Sequence, residues 1–201
     1  LFSSLLANTF NIQTTDTSEQ IKQKIGEGIK DWPRDARETQ PYLELVMGLT
    51  PNDKQFERMQ PEQMRQQTFV AMRRLLKTLG KERPLILFLD DLHWIDPISA
   101  ELLLFIATIV ASDPILFVCA QRLQGADSPN DRLVRLQSLL PGQTQQLFLE
   151  KLSANDSSKL LDELLLQAEL PEEFRALTVS RSEGNPYFIE EFVRMSIEQS
   201  Y

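Results

Sequence analysis

Asp90 and Asp91 end the apolar run Leu85-Ile86-Leu87-Phe88-Leu89 and stand directly ahead of Leu92-His93-Trp94-Ile95-Asp96. An apolar run behind a proline, cut off by two acids, predicts a strand buried on both faces. In an open parallel sheet, ligands sit at the carboxyl ends of the strands, where these two carboxylates lie. Paired carboxylates there suit a divalent cation held through water. They also suit orienting or deprotonating a nucleophilic water. The same residues fit a plainer role as well, a strand leaving the core through a solvated acidic turn.

Other reactive groups are few. His93 is the single histidine and Cys119 the single cysteine. A histidine metal cluster and a Ser-His-Asp triad are excluded on that count. No disulfide can form within the chain, which fits a reducing, cytoplasmic setting. Cys119 sits inside an apolar run and reads as a small buried hydrophobe. The net charge is −8 and the pI about 4.8. That balance argues against a general nucleic-acid or anionic-membrane surface, because no excess of cations is present to replace phosphate counterions. No apolar run reaches membrane-spanning length. At 201 residues, 42% hydrophobic and 25% charged, the chain reads as one globular domain with a small appendage.

The elements that must hold the carboxylates follow from periodicity. Residues 1–50 read as short helices, with Ile21, Ile25, Ile29 and Trp32 forming one face and Pro33 ending it. Gly26 and Gly28 weaken that helix, and no strand precedes them to make a phosphate loop. Pro61 opens a regular helix with Met64, Phe69, Met72, Leu75, Leu76 and Leu79 inward, and Gly80 is its expected stop. After the central strand, Asp96 caps a helix with Pro97 at its first position. That helix is apolar nearly all round over 98–111, so it must be buried. Pro114 precedes a second buried strand, 115–120, ending in Gln121-Arg122. Strand, crossover helix and strand make a βαβ unit and hence a parallel sheet. Residues 145–150 alternate and read as a weaker strand. Beyond 151 only helices are expected, starting near Asn155, Pro171 and Pro186, the last capped by Asn185.

Three motifs therefore stand in order: ERPLILFLDDLHWIDP at 82–97, PILFVCAQR at 114–122 and EGNPYFIEEFVR at 183–194. Together they resemble the STAND class of P-loop NTPases, a branch related to AAA+ ATPases and found in bacterial adenylate and guanylate cyclases and transcriptional regulators. The resemblance covers roughly residues 40–200. It implies a partial α/β P-loop NTPase core with a parallel sheet and helices over 1–151, then a small all-helical lid subdomain over 152–201.

By the same resemblance, Asp90 is the Walker B aspartate that holds the Mg2+ of Mg-ATP through water. Asp91, also near the metal, stands where most AAA+ proteins carry a catalytic Glu and would position the attacking water. It is one methylene shorter. Arg122 closes the sensor 1 strand and would address the γ-phosphate. Ala120 replaces a hydroxyl often found before that position. Gly184, Asn185 and Pro186 match the lid motif, whose proline packs on the nucleotide. His93 is expected to hydrogen-bond in the turn after Asp91, and Trp94 to pack. The partners implied are a covalently attached cyclase, kinase or regulator output domain, C-terminal helical repeats and nucleotide-dependent self-association, with no direct nucleic acid and no membrane.

A Walker A loop, G-x-x-x-x-G-K-[ST], is absent from the sequence. The one Gly-Lys is Gly80-Lys81, with Leu75 where the first glycine belongs and Glu82 in place of Ser or Thr. Family order puts that loop on a first strand upstream of Leu1, in a longer parent chain. Loss of that strand is expected to leave two unpaired edges in the middle of the sheet and a segment inactive by itself. The expected function is a regulatory ATP-binding and ATP-hydrolysing switch module of a multidomain signalling protein. The alternative is a non-hydrolysing, nucleotide-dependent interaction module.

Overall fold

In a computed structural model of the chain, the described residues are 1–52, 56, 58–122, 131–165 and 171–198. They divide into two compact units, Leu1–Thr144 and Gln145–Tyr201. The expected change of texture lay after residue 151.

The first unit begins with helices α1 (Phe2–Thr9), α2 (Ser18–Ile29), α3 (Arg34–Arg37), α4 (Gln40–Val46) and α5 (Pro61–Glu82). Thr17 starts α2 with a reciprocal cap: Gln20 N–H donates to its hydroxyl, and the Gln20 side chain accepts from its backbone N–H. Gly28 does more than weaken α2. A Cβ there would meet the Phe10 ring at 2.5 Å, so the glycine admits that ring against the helix. Helix α5 runs past Gly80 to Glu82, where the sequence predicts a stop at the glycine. Gly80 is buried instead, with Ile115 of the second strand 3.1 Å from where its Cβ would stand. The glycine serves close packing rather than termination.

Strand β1 (Leu85–Leu89) pairs in parallel with β2 (Ile115–Cys119), in register from Leu85 with Ile115 to Leu89 with Cys119. Between them run a 3-10 turn (Leu92–Trp94), helix α6 (Pro97–Ala107) and a second 3-10 turn (Thr108–Ala111). This is the predicted βαβ unit, a small two-stranded parallel sheet in a mostly helical α/β chain. Helix α7 (Asp131–Leu139) completes the unit.

The core is continuous. Leu6, Ile25, Ile29, Leu43, Met72, Leu75, Leu76, Ile106 and Ile109 are fully buried in one cluster with Leu87 and Leu89. Helices α5 and α6 bracket β1 in sequence and are tied to each other. Phe69 and Phe105 lie 5.8 Å apart between ring centroids. Arg65 sits over the Phe69 ring and Arg73 over the Phe105 ring, and Arg65 also pairs with Glu101. The basic side of α5 therefore holds α6 by one cation–π contact, Arg73 on Phe105, and one ion pair, Arg65 with Glu101. Lys77 pairs with Asp113 at 3.1 Å and fastens the turn ahead of β2.

The sheet departs from expectation in one respect. Leu87, Leu89 and Ile115 face the core, but Ile86, Phe88, Leu116 and Val118 are exposed. Alternation along each strand and the in-register pairing put these four on one face. The sequence predicts burial on both sides, and the described residues cover only one. Residues 145–150 likewise form no strand. Leu147, Phe148 and Leu149 are exposed, the last at 96%, because no described strand pairs with them.

The second unit holds α8 (Ala154–Leu165), α9 (Glu172–Ser182) and α10 (Pro186–Glu198) around a small core of Leu161, Leu165, Ile189 and Val193. Among the described residues, no helix is long and apolar enough to cross a membrane.

Two outcomes are expected of the first unit. Asp96 caps α6 by accepting from Ser99 N–H at 2.9 Å, and its hydrogen bonds with Ser99 hold its carboxyl below the ordinary aspartate range. Asp96→Ala should lose about 1 kcal/mol of stability at neutral pH. A depressed folded-state pKa contributes stability above the unfolded aspartate value and loses it as pH falls through the folded value. Denaturant melts should therefore show the gap between wild type and variant closing in acid. Secondly, Phe88→Thr and Ile86→Thr together should raise the solubility limit without lowering the melting temperature, since the face they occupy is exposed.

Candidate functional site

The carboxyl ends of the two strands form one place. The Ala120 N–H donates to Leu89 O at 2.9 Å, and the Leu92 N–H donates to Ala120 O at 3.0 Å. These bonds carry the ladder one step past the strands. The chain must turn at once to do so, and Asp91 takes the left-handed conformation, φ 53° and ψ 38°. Aspartate tolerates that region better than most residues, at a cost of about 1–2 kcal/mol. The Trp94 N–H then donates to Asp91 O at 2.9 Å and closes the 3-10 turn.

Both carboxylates are exposed. Asp90 Oδ1 accepts from the Asp91 backbone N–H at 2.7 Å, which leaves the second oxygen of Asp90 open. Arg122 lies just beyond the same end of β2, also exposed. The structure thus brings Asp90, Asp91 and Arg122 to one edge of the sheet. Ala120 contributes only its backbone there. Cys119 is half-buried and burial pushes its thiol pKa up, so it is the inert hydrophobe expected. Gly80 and Lys81 lie inside α5, which excludes them as a phosphate loop.

The turn places two aromatic residues in opposite settings. The His93 side chain is 8% exposed, its ring 5.2 Å from that of Trp94, and its Nδ1 is buried with no hydrogen-bond partner. Asp91 Oδ1 stands 3.7 Å from that nitrogen, beyond hydrogen-bond distance. Trp94, expected to pack, is 80% exposed. The hydrogen bond expected of His93 in this turn is not made by Nδ1, and the orphaned nitrogen itself was not foreseen. A single histidine next to paired acids was the only signal that could have pointed to it.

The donor set suits a hard cation. Among the described residues no three His, Cys, Asp or Glu side chains converge, so these residues do not cage an ion by themselves. Two exposed carboxylates fit Mg2+, which keeps several waters and draws further ligands from phosphate. No backbone cradle for a triphosphate is present among these residues.

Gly184, Asn185 and Pro186 belong to the second unit and have structural work there. Glu183 and Gly184 are consecutive left-handed residues, φ 48° and 77°. The Leu152 N–H donates to Gly184 O at 2.9 Å, and a Cβ on Gly184 would lie 2.4 Å from Leu152 O. The Asn185 side chain accepts from Tyr187 N–H at 3.1 Å, the expected cap of α10, with Pro186 as the first helical residue. Tyr187 is exposed. Gly184→Ala should destabilise this unit on the order of 1–3 kcal/mol, through both the positive φ and the close carbonyl. Hydrogen exchange should then accelerate across α8–α10 while α5 and α6 keep their protection.

A family model described as an AAA ATPase domain matches residues 6–118, more than half of the 201-residue chain. The matched span takes in Asp90, Asp91 and His93 and ends before Arg122. An uncharacterized protein of Rhizobium meliloti (strain 1021) is 31% identical over 135 residues, which is 65% of this chain and 12% of that protein. The chain thus spans about an eighth of the relative's length. No solved structure gives a significant match. With the βαβ unit and the paired acids at its open end, the match places the chain in the AAA ATPase domain family.

Proposed function

We propose that this chain is part of the regulatory ATPase module of a larger, STAND-class signalling protein, with Asp90 and Asp91 as its Walker B pair. The observation that carries the reading is the exposed Asp90-Asp91 pair at the carboxyl end of β1, with Arg122 at the same edge. Membership in a family of ATPase domains supports it, as does the small share of the Rhizobium relative that the chain covers. The phosphate-cradling loop and its strand come from an upstream segment of the parent. That segment would also cover the exposed face formed by Ile86, Phe88, Leu116 and Val118.

Mg-ATP, when bound, supplies the γ-phosphoryl group and the charge that the site must neutralise. The residues of this chain do the remaining work. Asp90 would accept hydrogen bonds from water on the Mg2+ through its other carboxylate oxygen. Asp91 would accept from the attacking water and align it. Arg122 would donate to phosphate oxygens, a charge-assisted contact. The second unit, with its turn at Gly184-Asn185-Pro186, is proposed as the nucleotide-responsive lid of that module. An attached output domain would then read lid position, since a ligand shifts a two-state equilibrium by its differential affinity.

A second reading keeps nucleotide binding without turnover. It is favoured by Ala120, which offers no side-chain hydroxyl beside Arg122, and by the shorter reach of Asp91. Phosphate release from a chain extended upstream decides between the two. Hydrolysis should fall about 100-fold in Asp91→Asn while nucleotide affinity stays within about threefold, as for loss of a water-orienting base. Equal, background-level rates in wild type and variant, with binding retained, would establish the binding module instead.

A further inference from the structure

The orphaned His93 nitrogen and the strained Asp91 adjoin each other, and each gives the other a reason. A buried polar nitrogen without a partner costs about 1–3 kcal/mol. Asp91 Oδ1 stands 3.7 Å from it. The ring cannot move to close that gap, because its side chain is 92% buried and lies against Trp94. The backbone of Asp91 cannot move either. Its neighbours are held by Leu92 N–H to Ala120 O and by Trp94 N–H to Asp91 O. The Asp91 side chain is 63% exposed, so rotation about its own side-chain torsions is what remains free. The 3.7 Å separation exceeds an ordinary charge-assisted distance of about 2.8 Å by about 0.9 Å.

We propose that His93 is the positioning residue of Asp91: its Nδ1–H donates to Asp91 Oδ1 and fixes the carboxylate so that the other oxygen faces the attacking water. A carboxylate only accepts, so the pairing requires the neutral imidazole to carry its proton on Nδ1. The left-handed backbone at Asp91 has a purpose in this arrangement. With that backbone, Asp91 Oδ1 stands 3.7 Å from the nitrogen of a ring two residues later in the chain. His93 touches neither nucleotide nor water and acts only through Asp91. The inference rests on the proposed role of Asp91 in hydrolysis, and it makes a claim about the two side chains that holds without turnover.

The test uses the full parent chain, labelled with 15N in histidine, at about pH 8 where a free imidazole is neutral. The His93 signals are those missing from His93→Asn. With Mg2+ and a non-hydrolysable ATP analogue bound, Nδ1 should give the shift of a protonated nitrogen, and Asp91→Asn should move that signal. An unprotonated Nδ1 indifferent to Asp91→Asn overturns the pairing. Kinetics supply the second arm. His93→Phe keeps the ring shape without the donor and should lower kcat about 10- to 100-fold with KM nearly unchanged. His93→Asn places an amide N–H near the Nδ1 position and should recover most of that loss, which a purely structural role would not predict. An unchanged kcat in His93→Phe overturns the proposal. Should the wild-type parent show no turnover, the hydrolytic reading fails, and the nitrogen shift alone decides whether His93 holds Asp91.

Discussion

The pairing of Leu89 with Cys119 at the end of the parallel ladder constrains everything around it. Because β1 and β2 are in register to their last residues, both chains leave the sheet at the same level. Ala120 then bonds to Leu89 on one side and to Leu92 on the other. A regular parallel ladder would bring the Asp91 N–H to Ala120 O; the Leu92 N–H takes that place one residue later, and Asp91 absorbs the extra residue in its positive φ. The acids are therefore presented by backbone hydrogen bonding, not by side-chain packing. A shift of register by one residue would put the leucines of β1 into solvent and lift the turn off Ala120 together.

The sheet that sets this geometry is itself half-finished. Its core face is anchored by α5 and α6, which are joined through Phe69, Phe105 and the two arginines over their rings. Its other face offers Ile86, Phe88, Leu116 and Val118 to water. Parallel sheets are ordinarily covered on both sides, because crossover helices fall on both faces. The strands are accordingly as apolar outside as inside, a composition that makes sense only with a second layer.

Much of this was legible in the sequence, since the signals were local. Proline, aspartate and helical spacing marked α2, α5, α6 and α10 and their caps, and the two apolar runs marked the strands. The failures share a cause, which is dependence on something distant in the chain. Gly80 carries the usual mark of a helix end, but its role is set by Ile115 of β2. Residues 145–150 have strand-like alternation, yet a strand exists only with a neighbour to bond. Trp94 was expected to pack, and whether it packs depends on a surface that the described residues do not supply. The candidate site was legible only as residue types, Asp90, Asp91 and Arg122. The relation of His93 to Asp91 was not, because burial of one ring nitrogen leaves no trace in spacing.

The motif at Gly184-Asn185-Pro186 bears on how far motif and mechanism can be separated. Gly184 is required by the approach of Leu152 O, and Asn185 by the orphan N–H groups of α10. Each residue is thus explained by folding before any nucleotide is considered. The Leu152 N–H bond to Gly184 O also ties the chain two residues ahead of α8 to the turn that opens α10. A ligand pressing on that turn would strain a backbone pair rather than a mobile side chain. Displacement there must be passed to α8 and α10 together, since the turn has no freedom of its own to absorb it. A residue that holds a fold rigid at one point is therefore suited to transmit force through that point, and the structural role of this turn does not compete with the switching role proposed for it.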